Sequence, residues 1–294
     1  MAAITVATQF RILLKEIAPQ SAEVTRAKRH FRGIKTRIAK SYSVARASII
    51  GSHVKGTAVR RLSDVDVLLV LRRDEIKWGD GAISSGTLLK NIRDELRGRY
   101  PTTDIRRDAQ AVAVRFGRGE HGVDVVPAVF GGPSPTKHPV YIIPDGAGGW
   151  IATSPDGQLK VLKAADEKSG GKLCPIIRLM KWWMFSRAQW IPLDSTHLEA
   201  VVVKAGVPRV GSYSTILSTV FVTLHRRAGS AIRDPIGISG LLPIASTDAQ
   251  KQDVLNALRY AADHSRRAVA AEADGNHQEA IRQWKIVYNQ SFPG

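Results

Sequence analysis

Residues 51–71 read GSHVKGTAVRRLSDVDVLLVL, and the last eight of them decide the fold. Asp64-Val65-Asp66 runs straight into Val67-Leu68-Leu69-Val70-Leu71, a strand of β-branched and aliphatic residues, apolar on both faces after Asp66. Successive strand residues point to opposite faces, so Asp64 and Asp66 leave the same one, with Cα atoms about 6.7 Å apart. An isolated carboxylate at the head of such a strand is costly. Two at this spacing can instead reach inward to hard cations held about 3.5–4 Å apart. Val123-Asp124-Val125 repeats the oddity further along. A strand there, lying beside the first, brings a third carboxylate about 4.8 Å sideways. Three clustered carboxylates without a cation repel one another and raise at least one pKa. Mg²⁺, with Mn²⁺ as the alternative, removes that cost because it prefers oxygen ligands.

Gly51-Ser52 supplies the other half of a site. Glycine lets a phosphate come close to the backbone, and the Ser52 hydroxyl and nearby N–H groups can donate to phosphate oxygens. Metal-binding carboxylates beside a phosphate cradle suit nucleoside triphosphate chemistry. Asp-x-Asp alone is common in surface loops; here strand, turn and later aspartate coincide. Gly170-Gly171-Lys172 lacks the rest of a Walker A loop, and no HExxH, GxSxG or dinucleotide-binding glycine pattern is present.

Outward from this motif, Leu88, Leu89, Ile92 and Leu96 form one helical stripe. Residues 111–116 (AVAVRF) and 123–129 (VDVVPAV) read as strands, with 117–122 as a hairpin loop. Residues 131–155 have loop and linker composition. Beyond them the pattern predicts helices over 158–167, 175–187, 198–204, 214–226, 249–271 and 278–289, and no strand. An α/β half, 1–155, is therefore expected to precede a helical half, 156–294.

The chain of 294 residues carries 43 Lys and Arg against 26 Asp and Glu, a net charge of +17. Twelve basic and two acidic residues fall in the first sixty. Phe10, Leu13, Leu14 and Ile17 recur at helical spacing, which predicts a long basic amphipathic helix bridging the two halves. Such a surface favours polyanions, RNA among them. One cysteine, Cys174, excludes an internal disulfide framework and any multi-cysteine zinc module, and it reads as a small buried hydrophobe. No run approaches the roughly 20 apolar residues that span a bilayer. A soluble, cytoplasmic monomer is expected.

The stretch GSHVKGTAVRRLSDVDV, with Gly56-Thr57 and Ser63, resembles the DNA polymerase β-like nucleotidyltransferase superfamily. It is most similar to the subgroup of 2′-5′-oligoadenylate synthases, archaeal CCA-adding enzymes and cGAS/DncV-like bacterial nucleotidyltransferases. PIIRLMKWWM (175–184), DSTHLEAVVVKA (194–205) and RDPIG (233–237) resemble the C-terminal lobe of the bacterial cyclic-oligonucleotide synthases of anti-phage defence. YIIPDGAGGWIATSP (141–155) resembles their linker. The resemblance implies an α+β fold: a polymerase β-like core of mixed sheet and helices, then a helical lobe, with the active site in the cleft. It implies that Asp64, Asp66 and Asp124 hold two Mg²⁺ ions, and that Gly51 and Ser52 cradle the triphosphate. Lys181 and Ser195 match phosphate contacts of the second lobe. The family often carries an aromatic residue after that serine; this chain has Thr196. Trp182, Trp183 and Trp190 read as core. The implied activity is synthesis of cyclic or linear oligonucleotide messengers from nucleoside triphosphates. The alternative within the superfamily is nucleotide addition to an RNA 3′ end.

Overall fold

Pro19 breaks the basic N-terminal segment, so the single long helix expected there is two. Helix α1 (Val6–Ile17) closes at Ala18 in extended backbone, the conformation favoured before a proline. Helix α2 (Ser21–Ile38) starts behind a capping box, in which the Gln20 N–H donates to Glu23 Oε2 at 2.8 Å. The computed structural model describes residues 4–76, 83–117, 122–187 and 189–294. They form two compact units: Pro19–Lys160, and Val161–Gly294 together with the residues up to Ala18. The sequence groups α1 with the N-terminal half; its contacts lie with the helices of the C-terminal one.

In the first unit α2 is followed by β1 (Val44–Ile49), α3 (Gly51–Lys55), β2 (Val65–Leu71), a 3₁₀ turn (Arg73–Ile76) and α4 (Ser85–Arg99). Then come β3 (Asp104–Asp108), β4 (Ala111–Arg115), β5 (Val123–Pro133), β6 (Pro139–Pro144) and β7 (Trp150–Thr153). The sheet order is β1-β2-β5-β4-β3, with β6 also on β5 and β7 on β6. The β2–β5 pair is parallel and in unbroken register from Val65↔Val123 to Leu71↔Val129; the other pairs of this sheet are antiparallel.

Alternation assigns the faces. Val65, Val67, Leu69 and Leu71 pack with Val123, Val125 and the apolar stripes Ile34, Ile38 and Leu88, Ile92, Leu96 of α2 and α4. Leu68 and Val70 face the other side, with a smaller cluster of Ala128, Tyr141 and Ile143. Asp66 and Asp124 share the parity of Leu68 and Ala128, so they open on the face that α2 and α4 leave uncovered.

Three strands of this unit, β3, β6 and β7, were not expected. β6 and β7 lie inside residues 131–155, read from composition as loop and linker; prolines at both ends of β6 and the glycines around Asp145 hide a short apolar core, Val-Tyr-Ile-Ile. β3 reads DIRRD, and only Ile105 is buried, so it carries no apolar alternation. The hairpin expected over 117–122 has residues 118–121 outside the described set.

In the second unit α5 (Pro155–Lys168), which begins in the first, leads to α6 (Leu173–Ser186), α7 (Ser195–Ala205) and α8 (Tyr213–Arg226). A two-residue pair, β8 (Ile232–Arg233) and β9 (Leu241–Leu242), then precedes α9 (Asp248–Ala273) and α10 (His277–Val287). That small pair falls between the helices expected over 214–226 and 249–271, in a stretch where no strand was expected. Phe10 of α1 meets Trp284 of α10 edge-on at 5.0 Å and Phe292 at 4.8 Å, which fastens the N-terminal helix to this unit. Among the described residues no helix is long and apolar enough to cross a membrane.

Candidate active site

The parallel β2–β5 register sets Asp66 directly opposite Asp124, on one face of the sheet. Asp64 precedes β2 by one residue, and its Oδ1 accepts the Gly122 N–H at 2.9 Å at the head of β5. The sequence-predicted carboxylates are thus brought to one edge of two neighbouring strands.

Gly51 closes on them from β1. Its φ is +68°, and a Cβ placed there lies 1.9 Å from Asp66 Oδ2 and 2.8 Å from Asp66 Cγ. The turn is tied to the same residue through the backbone, with the Ile50 N–H donating to Asp66 O at 2.8 Å. Ser52 follows in the short helix α3, and its carbonyl accepts the Thr57 N–H at 3.0 Å. The loop back to the acids is held by Ser63: its Oγ accepts the Val59 N–H at 3.0 Å, and its carbonyl lies 3.3 Å from His53 Nε2. Gly51, Ser52, Asp64, Asp66 and Asp124 therefore form one cluster within the first unit.

Sequence reading missed Arg115. It ends β4, where Ala113 pairs with Asp124, so alternation puts its side chain on the acidic face. Nη1 bonds Asp124 Oδ1 at 2.7 Å, while Nη2 lies 3.3 Å from Asp64 Oδ2 and 3.8 Å from Asp108 Oδ2. The signal was legible: in AVAVR a full charge falls in phase with two alanines of an otherwise apolar strand. Burial pushes the Asp124 carboxyl above its ordinary value, and the neighbouring Arg115 pulls against that rise without cancelling it. Burial also works against the Arg115 charge, but Asp124, Asp64 and Asp108 outweigh it and hold its pKa above the usual arginine value.

Among the described residues no three His, Cys, Asp or Glu side chains converge tightly enough to cage an ion as they stand. The donor set still fits a hard divalent cation: carboxylate oxygens from two adjacent strands, with a guanidinium already supplying positive charge among them. Cys174 offers no competing nucleophile, since burial, with Asp166 adding to it, pushes its thiol up to about 12.

Lys181 and Ser195 lie in the second unit. Lys181 is buried on α6 and bonds Glu199 Oε1 of α7 at 2.8 Å. Ser195 is exposed as the first residue of α7, whose cap is Asp194. Trp183 is core as expected, whereas Trp190 is 63% exposed and stacks on Phe185 at 5.5 Å.

Comparison with known proteins gives a consistent result. A profile for the Second Messenger Oligonucleotide or Dinucleotide Synthetase domain matches residues 4–165. A probable cyclic nucleotide synthase of Bacillus cereus is 24% identical over 270 residues, 83% of this chain and 81% of that one. A cyclic AMP-AMP-AMP synthase of Escherichia coli is 29% identical over 145 residues, 48% of this chain and 43% of that one. Among solved structures, E. coli CdnC with ATP superposes with a TM-score of 0.75 at 21% identity, covering 99% of both chains. The Vibrio cholerae cyclic AMP-GMP synthase DncV with a linear intermediate gives 0.66 at 12% identity, covering 85% of this chain and 70% of that one.

Proposed function

This chain belongs to the family of Second Messenger Oligonucleotide or Dinucleotide Synthetase domains, and we propose that it runs the family's reaction on the acidic face of its sheet. The activity is nucleotidyl transfer, in which nucleoside triphosphates are joined into a cyclic oligonucleotide and each step releases pyrophosphate. The in-register Asp66–Asp124 pair, capped by the Gly51 turn, carries the assignment of the site.

In this reading Asp64, Asp66 and Asp124 hold the divalent metal on which the family's chemistry depends. The hard oxygen set favours Mg²⁺, with Mn²⁺ as its substitute. Bound there, the metal supplies the positive charge that acidifies the attacking ribose hydroxyl and stabilises the departing pyrophosphate. Asp124 orients that hydroxyl toward the α-phosphate. Gly51 lets the triphosphate approach the backbone, and Ser52 donates to it. Lys181 and Ser195 are read, on the family resemblance, as hydrogen-bond donors to phosphate, with Glu199 Oε1 accepting from the lysine at 2.8 Å. The protein's part is positioning and charge neutralisation. Nucleoside triphosphates as substrates put this work in the cytoplasm.

The test is product analysis. The full chain, incubated with the four nucleoside triphosphates and Mg²⁺, is expected to yield a small phosphatase-resistant oligonucleotide by mass spectrometry. The name of the E. coli relative makes a cyclic adenylate the first product to look for. Lengthening of added RNA with no small product overturns the reading. That alternative is not favoured, because both relatives are cyclic nucleotide synthases by name.

Exposed Lys28, Arg29, Arg32 and Lys35 on α2 support an RNA ligand for the same enzyme. Reversing Arg26, Lys28, Arg29 and Arg32 to Glu is expected to abolish RNA crosslinking while mononucleotide-driven synthesis continues. Crosslinking that survives the reversal excludes this surface.

A further inference from the structure

Arg115 already holds oxygens that a divalent ion at this site would need. Two of the guanidinium's partners, Asp124 Oδ1 at 2.7 Å and Asp64 Oδ2 at 3.3 Å, belong to the carboxylates read above as metal ligands. Its third neighbour does not: Asp108 stands at the end of β3, 3.8 Å from Nη2 and about half exposed. The backbone beneath Arg115 is anchored. Phe116, the next residue, stacks on His30 at 3.7 Å and meets Tyr100 edge-on at 5.7 Å. The strand end is fixed, while the long side chain above it has several rotatable bonds and two sets of acceptors within reach.

We propose that Arg115 is an exchangeable counter-ion, which pairs Asp64 and Asp124 in the metal-free protein and yields both to the divalent ion by turning toward Asp108. It is a positioning residue: it keeps two clustered carboxylates from repelling each other, and it sets the metal concentration at which they change partner. No bond is made or broken, and charge stays balanced because Asp108 remains beside the guanidinium when the metal takes the other two. The inference rests on the metal-site reading of Asp64, Asp66 and Asp124.

The experiment is a Mn²⁺ titration of the full chain, free of nucleotide, followed by electron paramagnetic resonance. Wild type is compared with Arg115→Gln and Arg115→Lys, and melting temperatures are taken in EDTA. Arg115→Gln is expected to bind Mn²⁺ about tenfold more tightly than wild type, the size of an ordinary coupling between two ligands, and to melt at a lower temperature in EDTA. Arg115→Lys keeps the charge but cannot bridge two carboxylates with one planar fork, so it is expected to bind Mn²⁺ more tightly than wild type too. Unaltered affinity in Arg115→Lys overturns the exchange, because it leaves only through-space repulsion. Unaltered or weaker affinity in Arg115→Gln overturns it outright. An Asp64→Asn/Asp124→Asn control separates the two claims: if that protein still binds Mn²⁺ like wild type, the metal-site reading itself fails.

Discussion

Alanine at position 51 is expected to lower product formation by about a hundredfold or more, the cost of misplacing a reacting group by about an ångström. Two effects combine there. The backbone at φ +68° lies in the left-handed region, which costs a residue with a Cβ roughly 1–2 kcal/mol. The new methyl also lands 1.9 Å from Asp66 Oδ2 and 3.1 Å from Asp66 Cβ, so rotating the carboxyl group alone does not clear it. Asp66 cannot retreat with its strand, because β2 is central and hydrogen-bonded on both sides, to β1 and β5. Either the aspartate abandons its rotamer or the turn lifts away; both separate the glycine turn from the carboxylates. Gly56 is the internal control. Its φ is +76°, but nothing lies within 4 Å of a Cβ built there. Gly56→Ala should therefore show the conformational penalty alone, a modest drop in melting temperature with synthesis retained. Initial rates of pyrophosphate release and thermal melts on both variants decide the matter. If Gly51→Ala behaves like Gly56→Ala, the close approach to Asp66 has no catalytic meaning.

The second large effect belongs to Asp66→Asn. Asparagine keeps the shape that Gly51 packs against and removes the charge. Losing one ligand from a hard-cation site is expected to lower the rate by about 10³-fold, comparable to removing a principal electrostatic contact from a transition state. The fold should survive, because the Asp66 side chain is not part of the core that α2 and α4 build with the odd-numbered residues of β2. The measurements are product yield by mass spectrometry and the thermal melt, made on the same protein. Full synthesis by a folded Asp66→Asn chain removes Asp66 from the site.

Legibility followed the physics of each signal. β2 and the first seven residues of β5 were readable because they are largely buried on both faces and so carry long aliphatic runs. The aspartates inside those runs were readable for the same reason, since a charge in apolar surroundings is an anomaly that calls for a partner. α4 through α10 declared themselves by apolar stripes at helical spacing, although boundaries differ by a few residues. β3 and β7 were silent because an edge strand buries little and needs no alternation. The grouping of α1 with the C-terminal unit was silent too: Phe10 is an ordinary helix-face aromatic until Trp284 and Phe292, far along the chain, close around it. Arg115 was overlooked because its meaning depends on a partner strand. Only the β4–β5 register tells which carboxylate it meets.

The parallel pairing of β2 with β5 also governs when the molecule acquires its chemistry. A hairpin can form as soon as its two strands exist, but parallel neighbours need a long crossover. Here everything from the 3₁₀ turn through α4, β3 and β4 lies between them. Asp66 and Asp124 can meet only after that whole segment has been made, and such distant contacts form slowly because loop closure precedes any gain from them. A partly synthesised or partly folded chain thus has the glycine turn and two aspartates but no assembled site. The paired carboxylates that the proposed chemistry needs are therefore a property of the finished sheet and not of the motif at residues 51–66.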